Sequence, residues 1–457
     1  MRIEIQASKQ LLTSNKSRIR RSEKKHRRLL AEYAAITSDT QLLGRGYASL
    51  KSRIVESDQP LSKGFVSYTL SLGCLYEAHK GYINTYFPAS ATYQDSVEIE
   101  EQIAKLKKRI ARLSTLSVIL AVAPVMYIQI YLLNRMISEL EDKLEKMRQY
   151  EAVTNTMYND ANAFAATLKR GVRYSGSMVW QNGWLVQLGA DDSSWQNDLE
   201  KNAKDTWWGV TRRARAFIYG DASGLCGGNQ AGPRNYFNTK AKRQAGLDAI
   251  LGKYVAFQNM TDAEQLNLLR SINNTGCGYT VLANAIVEQY YYRPEDFRRD
   301  FGFSLFRTEN NARVINYETL IVDLYCAHTD QKVATNGTTP VAEYKGIHPS
   351  DAFFADYYSE RTSGHQTVSV DMVQYNQNTN YAQTVDQGNV AIYTNSKTTY
   401  HAAGKTAFNS TVTGAHTSMM TAADYSDVNP VFTISSWGNK YTVTRSDHVY
   451  IFDWSTP

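Results

Sequence analysis

The chain has 457 residues, with 50 Lys or Arg against 44 Asp or Glu and a formal net charge of +6. Its content of 43% hydrophobic and 12% aromatic residues excludes a disordered, collagen-like or fibrous protein and predicts two or three globular domains. Residues 1–30 hold ten Lys or Arg but only Glu4 and Glu23, so the rest of the chain is slightly acidic. We therefore expect no nucleic-acid partner and interpret the basic end as a solvated or partner-facing helix.

Residues 1–155 are predicted to be helical, because apolar residues recur at steps of three and four. Two stretches have the a/d spacing of a coiled coil. The first is Ile99, Ile103, Leu106, Ile110 and Leu113, and the second is Leu133, Ile137, Leu140, Leu144 and Met147. The N-terminus lacks the apolar stretch and cleavage site of a signal peptide, so we do not expect general secretion by that route.

The segment Leu116–Leu133 has no charged residue and has Pro124 near its middle. As a straight helix it would be about 27 Å long, close to the lower limit for crossing a bilayer. Three arrangements fit: the centre of one kinked helix, the tip of a helical hairpin that turns near Pro124, or a membrane-inserting segment. Polar Gln129 and two tyrosines favour burial against other helices of the bundle or a partner helix over lipid.

Tryptophan is concentrated after the helical region. Five of the seven tryptophans lie within residues 180–208, namely Trp180, Trp184, Trp195, Trp207 and Trp208. Such rings could bind sugars, but large aromatics more often supply core area. We expect a Trp-rich junction over 156–215, between a helical domain at 1–155 and a further domain at 216–457.

The last domain is predicted to be α+β. Residues 261–292 begin with a capping box, Thr261 and Glu264, ahead of an apolar helical run. Alternating apolar and polar residues then predict an antiparallel sheet. Its strands are expected at 367–375, 390–394, 431–435, 441–444 and 449–452, with a further strand beginning at His416.

The sharpest local feature is Cys277, which lies between Gly276 and Gly278 at the start of an apolar helix. Backbone N–H groups and the helix dipole at such a position favour a thiolate, and the glycines would let a substrate approach the sulfur. Asn273 or Asn274 could donate a hydrogen bond to an oxyanion. The alternative is an inert core cysteine in a glycine turn.

A thiolate nucleophile needs a base, and His416 is the best placed of the eight histidines. It follows Gly414 at the start of a predicted strand, and the next strand ends in Ser435-Ser436-Trp437-Gly438. Nucleophile, base and a polar residue that orients the base are thus present in this order.

Gly276-Cys277-Gly278-Tyr279, His416 and Ser435-Ser436-Trp437-Gly438 together resemble the signature of papain-fold cysteine peptidases. The resemblance implies a papain-like fold with Cys277 as nucleophile, His416 as base, Ser435 as the residue that orients the histidine and Trp437 as a shield over that contact. Serine replaces the usual amide or carboxylate. The usual oxyanion glutamine is also missing before the cysteine, so Asn273, Asn274 or Gln230 would have to replace it.

The remaining candidates for chemistry are weaker. Cys226 is followed by Gly227-Gly228 but by no apolar helix, and Cys326 lies in an apolar run with His328 two residues on. The chain holds only four widely spaced cysteines, which is no disulfide framework, and its histidines lack the spacing of metal ligands. We expect no metal and no cofactor.

The segment 42–51, Leu-Leu-Gly-Arg-Gly-Tyr-Ala-Ser-Leu-Lys, resembles the Leu-x-Gly segment of LXG polymorphic toxins of Gram-positive bacteria. That resemblance covers residues 1–155. It implies an elongated helical domain for export by a type VII secretion system, small helical export partners that bind this domain, a variable C-terminal toxin domain and an immunity protein that blocks it.

The leading hypothesis is a secreted antibacterial toxin that cleaves a peptide or amide bond in a protein or peptide of a target cell. Two alternatives stay open. The same fold could act as a transglutaminase or deamidase, or residues 116–133 could insert in a membrane while the rest of the protein only binds.

Overall fold

The computed structural model describes residues 1–119, 123–182, 184–187, 194–220, 226–387, 390–394, 397–403, 409–412, 414–427 and 429–456, apart from the side chains of 116–125, 187 and 387. These residues form two compact units, Met1–Thr206 and Trp207–Pro457. The segment 156–215, expected to be a junction, is divided between the two units.

The first unit is built of long helices and two small antiparallel strand pairs. Its helices are α1 (Ile5–Ser38), α2 (Arg45–Arg53), α3 (Gln59–Tyr86), α4 (Ser96–Ile119), α5 (Ala123–Thr154) and α6 (Asn159–Gly176), followed by α7 (Ser194–Ile218), which runs on into the second unit. Its strands are β1 (Arg2–Glu4), β2 (Tyr93–Asp95), β3 (Met178–Gln181) and β4 (Trp184–Gln187). The predicted helical character of residues 1–155 is confirmed, except that β1 and β2 form an antiparallel pair.

The two coiled-coil stretches face each other across α4 and α5. Ile103 and Ile137 are both buried in one apolar cluster. Lys107 of α4 forms an ion pair with Glu141 of α5, with 3.1 Å between Nζ and Oε1. Two adjacent helices favour the hairpin arrangement over one continuous helix; residues 120–122, between them, lie outside the described residues.

The described part of the apolar segment, residues 126–133, is mostly exposed within its own unit. Tyr127 is 64% exposed and Tyr131 is 68% exposed, whereas Leu133 is buried. Burial of 116–133 was expected against the bundle or a partner helix; burial against the bundle is wrong for 126–132, whose side chains are exposed or half-buried, and the side chains of 116–125 lie outside the described residues. In the part of the chain that the structure describes, the helices are too short or too polar to cross a bilayer.

Two other features of the first unit bear on the sequence predictions. Gly44 has a φ of +101° at the start of α2, a conformation that glycine adopts without strain.

Trp195 is fully buried against Phe164 and Leu168, as expected of a core ring, whereas Trp180 and Trp184 are exposed.

The second unit combines helices with one large antiparallel sheet, as the α+β prediction requires. Its helices are α8 (Gly232–Tyr236), α9 (Lys240–Lys242), α10 (Asp248–Leu251), α11 (Asp262–Thr275), α12 (Cys277–Tyr290), α13 (Pro294–Phe301), α14 (Tyr317–Asn336), α15 (Ala352–Arg361) and α16 (Ala382–Gln387). Its strands are β5 (Phe306–Glu309), β6 (Ala312–Ile315), β7 (Val368–Gln374), β8 (Val390–Thr394), β9 (Thr398–Ala402), β10 (Ser410–Val412), β11 (His416–Asp424), β12 (Val431–Ser436), β13 (Asn439–Val443) and β14 (His448–Trp454).

The eight strands β7 to β14 form one sheet in the order β10-β9-β13-β12-β11-β8-β14-β7. All the predicted strands of the last domain are confirmed within two residues at each end. The sheet is apolar on its inner face, where residues such as Ile392, Phe432 and Ile434 are fully buried. Helix α12 packs against β11, and this contact brings the N-terminus of the helix to the start of that strand.

Candidate active site

Cys277 is the first residue of α12, at a sharp break between two helices. Helix α11 begins with the predicted capping box, since the Thr261 hydroxyl accepts from the Glu264 N–H and the Glu264 carboxylate accepts from the Thr261 N–H. It ends at Thr275, and Gly276 then serves as the N-cap of α12. The predicted helix over 261–292 is thus two helices, and the break places Cys277 at a helix start as expected.

The two glycines beside Cys277 are required by packing. A Cβ atom on Gly276 would collide with the Ile272 carbonyl oxygen, and one on Gly278 would collide with the Ile347 carbonyl oxygen. The close approach that these glycines permit is thus to the backbone of their own unit, and the expected approach of a substrate to the sulfur stays a prediction.

The Cys277 thiol is surrounded by backbone donors, yet its pKa lies above the ordinary value. The N–H groups of Thr417, Gly278 and Cys277 itself lower the pKa of the thiol, but burial raises it more, and the net shift is upward. The backbone N–H groups at the helix start thus favour a thiolate as expected, but removal from water penalises the charged sulfur more than these dipoles stabilise it.

His416 is the first residue of β11 and is held by a serine on the neighbouring strand. Its Nε2 atom lies 2.8 Å from Oγ of Ser436. Ser435 was expected to be this partner, but its hydroxyl donates to the Cys226 carbonyl oxygen at 2.5 Å. The correction follows from strand geometry, since consecutive side chains of β12 point to opposite faces of the sheet.

Trp437 covers the histidine from the turn between β12 and β13. Trp437 and Gly438 have φ values of +51° and +71°, as in the tight turns that join twisted antiparallel strands. The indole stacks on the His416 ring with 4.5 Å between centroids and 15° between planes, and Tyr400 packs 5.7 Å from the same imidazole. Trp437 therefore shields His416, as the resemblance to papain-fold peptidases implies.

Burial makes His416 a neutral imidazole. Removal from water lowers its pKa to about 4, and Ser436 is a neutral partner that cannot offset this by charge attraction. At neutral pH the candidate pair thus consists of a thiol and an uncharged imidazole.

Cys277 and His416 line the same cavity, which has a volume of only about 10 Å³. That is room for about one water molecule. Gln230 also lines it, and its Nε2 atom donates to the Asn273 carbonyl oxygen at 2.8 Å. Of the three amides proposed for the oxyanion, Gln230 therefore lies at the site.

Asn273 and Asn274 do not reach the cavity with their side chains. They lie in the last turn of α11, where the Asn273 Nδ2 atom donates to the Asn274 side-chain oxygen at 3.2 Å on the surface. The expectation that either residue is the oxyanion donor is wrong, because their position on α11 directs both amides to the surface rather than to Cys277.

A loop that begins at Cys226 closes one side of the cavity. The Cys226 N–H donates to the Gly438 carbonyl, and the Gly438 N–H donates to the Gly228 carbonyl, each at 3.0 Å. The Gly228 N–H donates to Oδ1 of Asn284, which lies two turns after Cys277 on the same face of α12. Cys226 is thus a buried support for the turn rather than a rival nucleophile at a helix start.

Three residues of this arrangement were not singled out by their sequence. Ser436 could have been found from the two-residue period of a strand, because the residue that faces the histidine must share its side of the sheet. Thr417 and Asn284 carry no sequence signal, since their contacts depend on how α12 and the Cys226 loop pack.

The remaining candidates for chemistry were a metal site and Cys326. In the described ranges, His, Cys, Asp and Glu side chains form no group of three that could hold a metal ion. Cys326 is fully buried in α14, where burial raises the pKa of its thiol well above the ordinary value.

The chain matches no family model, no curated protein sequence and no solved structure.

Proposed function

We propose that the second unit is a papain-like cysteine peptidase with Cys277 as the nucleophile. The observation that carries the proposal is the meeting of a cysteine at a helix start, a histidine at a strand start and a serine on the next strand around one cavity. Gln230 from a separate loop adds an amide donor at the same place. This arrangement suits acyl transfer through a thioester.

The proposed reaction begins with attack of the Cys277 sulfur on a peptide carbonyl carbon. The thiol proton passes to Nδ1 of His416, because Nε2 is engaged by Ser436. This requires the tautomer in which Nε2–H donates to the Ser436 oxygen. The second N–H of the Gln230 amide donates to the developing oxyanion, while the first keeps its bond to the Asn273 carbonyl.

The second half of the reaction releases the products. The proton on His416 passes to the leaving amine as the carbon–nitrogen bond breaks, and the acyl group stays on the sulfur. Water then attacks the thioester carbonyl while His416 Nδ1 accepts a proton from it. The thiol is restored when that proton returns to the sulfur.

Substrate can enter only if the cavity opens. A volume of about 10 Å³ does not admit a peptide, so the Trp437–Gly438 turn or the Cys226 loop must move before attack. We propose that the described arrangement is the resting state. Opening would also admit water to His416 and Cys277, which reduces the burial that keeps both groups uncharged.

For the whole chain we propose an antibacterial toxin of the LXG type, secreted by a type VII system. The helical first unit and the Gly44 segment at the start of α2 support this proposal. In it, an immunity protein would bind the second unit. The exposed apolar face at Tyr127 and Tyr131 would receive a small helical export partner.

A membrane-binding toxin is the second candidate function, and the same exposed face of α5 is the observation that favours it. It is tested with vesicles of phosphatidylglycerol and phosphatidylethanolamine loaded with a fluorescent dye. Dye release by both the wild-type chain and Cys277→Ala would favour this candidate, and the absence of vesicle binding would exclude it.

The peptidase proposal is tested with the full chain expressed in the cytoplasm of a bacterium. We expect growth arrest and the appearance of new protein N-termini, both abolished by Cys277→Ala. The matched control is Cys74→Ala, which removes a buried thiol of the first unit and should leave both effects in place.

The chemistry of the products distinguishes the related reactions. New N-termini indicate hydrolysis, cross-linked proteins indicate capture of the thioester by an amine, and a gain of about one dalton indicates deamidation. Equal toxicity of wild type and Cys277→Ala would refute a cysteine nucleophile altogether.

A further inference from the structure

A second, much larger cavity of about 750 Å³ lies within the second unit, beside the closed active site. Its walls are the β5–β6 hairpin, the segment 227–236 and the Trp437–Gly438 turn. We call it the hairpin pocket. Its volume is in the range of cavities that hold small ligands or several residues of a peptide.

The floor of the hairpin pocket is aromatic. The rings that line it are Phe217, Tyr236, Tyr291, Phe306, Tyr317 and Trp437. Phe217 and Tyr291 stack in parallel with 6.2 Å between centroids, and Phe306 meets Tyr291 edge-on at 5.6 Å. Such a floor suits a ring or apolar side chain of a ligand.

The charges at the rim of the pocket are not balanced. Arg307 is neutralised by Glu309, at 2.9 Å, and by Glu318. Lys242 and Arg313 are exposed and have no carboxylate partner among the residues that the structure describes. Each lies over a ring, Lys242 5.0 Å from the Tyr236 centroid and Arg313 3.6 Å from the Phe306 centroid, so both cations are held above the aromatic floor.

Two walls of the pocket are shared with the active site. Trp437 lines both cavities and stacks on His416. Gly228 lines the hairpin pocket, and Gln230, two residues later, lines the catalytic cavity. A chain segment held in the hairpin pocket therefore lies against the turn and the loop that close the catalytic cavity.

We propose that the hairpin pocket binds an acidic, aromatic-containing segment of the polypeptide substrate. An aromatic side chain packs on the ring floor, and flanking carboxylates pair with Lys242 and Arg313. The β5–β6 sheet has two strands among the described residues, so an extended segment can also pair with one of its edges. This inference rests on the proposed peptidase function, because it takes the bound segment to be part of the substrate.

The test measures binding separately from catalysis. The full chain with Cys277→Ala is titrated into fluorescein-labelled Gly-Asp-Tyr-Asp-Gly, and binding is followed by fluorescence anisotropy at low salt. The neutral twin Gly-Asn-Tyr-Asn-Gly has the same shape. We expect the acidic peptide to bind about tenfold more tightly, since two exposed ion pairs contribute roughly 0.5–1 kcal/mol each.

Two variants with the same loss of charge locate the site. Lys242→Gln with Arg313→Gln should remove the preference for the acidic peptide. Arg270→Gln with Arg298→Gln changes two exposed arginines outside the pocket lining and should preserve the preference. Equal binding of the two peptides, or an equal loss in both double variants, would overturn the inference.

The outcomes separate this inference from the peptidase proposal. A preference for the acidic peptide that depends on Lys242 and Arg313 supports the proposed ligand of the hairpin pocket even if the wild-type chain cleaves nothing. Cleavage without any such preference supports the peptidase and rejects the pocket. A single-stranded oligothymidine that binds at the pocket in place of the acidic peptide would also reject it.

Discussion

The imidazole of His416 is oriented by Ser436, whose Oγ lies 2.8 Å from Nε2, and not by the preceding Ser435. A hydroxyl can fix the ring but carries no charge, so it does not stabilise the imidazolium that forms when the histidine accepts a proton. Ser436 therefore orients the His416 ring as a catalytic base requires, but it adds little electrostatic stabilisation to the charged imidazole.

This relationship predicts different effects for two neighbouring serines. Ser436→Ala should lower the rate of peptide cleavage about tenfold, because the ring loses a hydrogen bond that contributes about 1.4 kcal/mol. Ser435→Ala should change the rate less than about threefold, but it should lower the free energy of unfolding by about 1 kcal/mol through the lost bond to Cys226. Steady-state kinetics and urea unfolding of both variants measure this, and the reverse pattern would restore Ser435 as the orienting residue.

Replacing the neutral partner by an acid should raise the pKa of His416. In the wild type, burial lowers that pKa to about 4. A carboxylate in Ser436→Asp would favour the charged imidazole, so the pKa should rise by at least one unit. NMR titration of the histidine ring protons checks this. Ser436→Asn has a similar shape without the charge and should leave the pKa near the wild-type value, so an equal rise in both variants would contradict the electrostatic explanation.

The uncharged resting pair predicts slow alkylation of Cys277. Burial raises the pKa of the thiol above its ordinary value of 9.0, so the rate with iodoacetamide should rise only in alkaline solution. Mass spectrometry identifies the modified cysteine, and the buried Cys74, Cys226 and Cys326 should react more slowly in the folded chain. A plateau of fast alkylation between pH 5 and 7 would instead indicate a thiolate–imidazolium pair.

Opening the cavity should speed this alkylation at constant pH. Trp437→Asn removes the indole that covers His416, and asparagine tolerates the positive φ of the turn. We expect the alkylation rate of Cys277 at pH 8 to increase several-fold. Trp184→Asn, which changes an exposed tryptophan of the first unit, is the control and should leave the rate unchanged.

His416 should also make the second unit sensitive to acid. Its pKa is about 4 in the folded state and 6.5 as the ordinary value, so between these pH values only the unfolded chain takes up the proton. The contribution of His416 to the free energy of unfolding is complete above pH 6.5 and decreases by up to about 3 kcal/mol as the pH falls toward 4. His416→Gln should make the unfolding free energy less dependent on pH across this window. His365→Gln, at an exposed histidine, should keep the wild-type slope.

A buried ion pair links α7 to α12, and the same arginine is hydrogen-bonded to the central sheet. Arg215 lies 3.3 Å from the Glu288 carboxylate and donates to the carbonyls of Val385 and Met420. Arg215→Met should lower the free energy of unfolding by about 3–5 kcal/mol, because it leaves the buried Glu288 carboxyl without its charge partner and with only the Tyr219 hydroxyl as a donor. Thermal unfolding measures the loss. Adding Glu288→Gln should recover part of it, and no recovery would show that packing rather than charge explains the effect.

Local patterns in the sequence determined the helices of residues 1–155 and 261–292, most strands of the large sheet and the two ends of the candidate site. The capping box at Thr261 fixed the start of α11, and Gly276 with the apolar run after it placed Cys277 at a helix start. Alternation placed the strands that carry His416 and Ser436. These features depend on neighbours within a few residues, so they can be predicted without a fold.

Only the tertiary structure decided which side chains meet and in what state. The choice of Ser436 over Ser435 follows from the faces of a paired strand, and Gln230 reaches the cavity because the Cys226 loop is hydrogen-bonded to the Trp437–Gly438 turn. The uncharged state of Cys277 and His416 follows from burial, which the sum of all surrounding elements sets. Contacts between segments distant along the chain and removal from water have no local signature, whereas helix starts and strand alternation do.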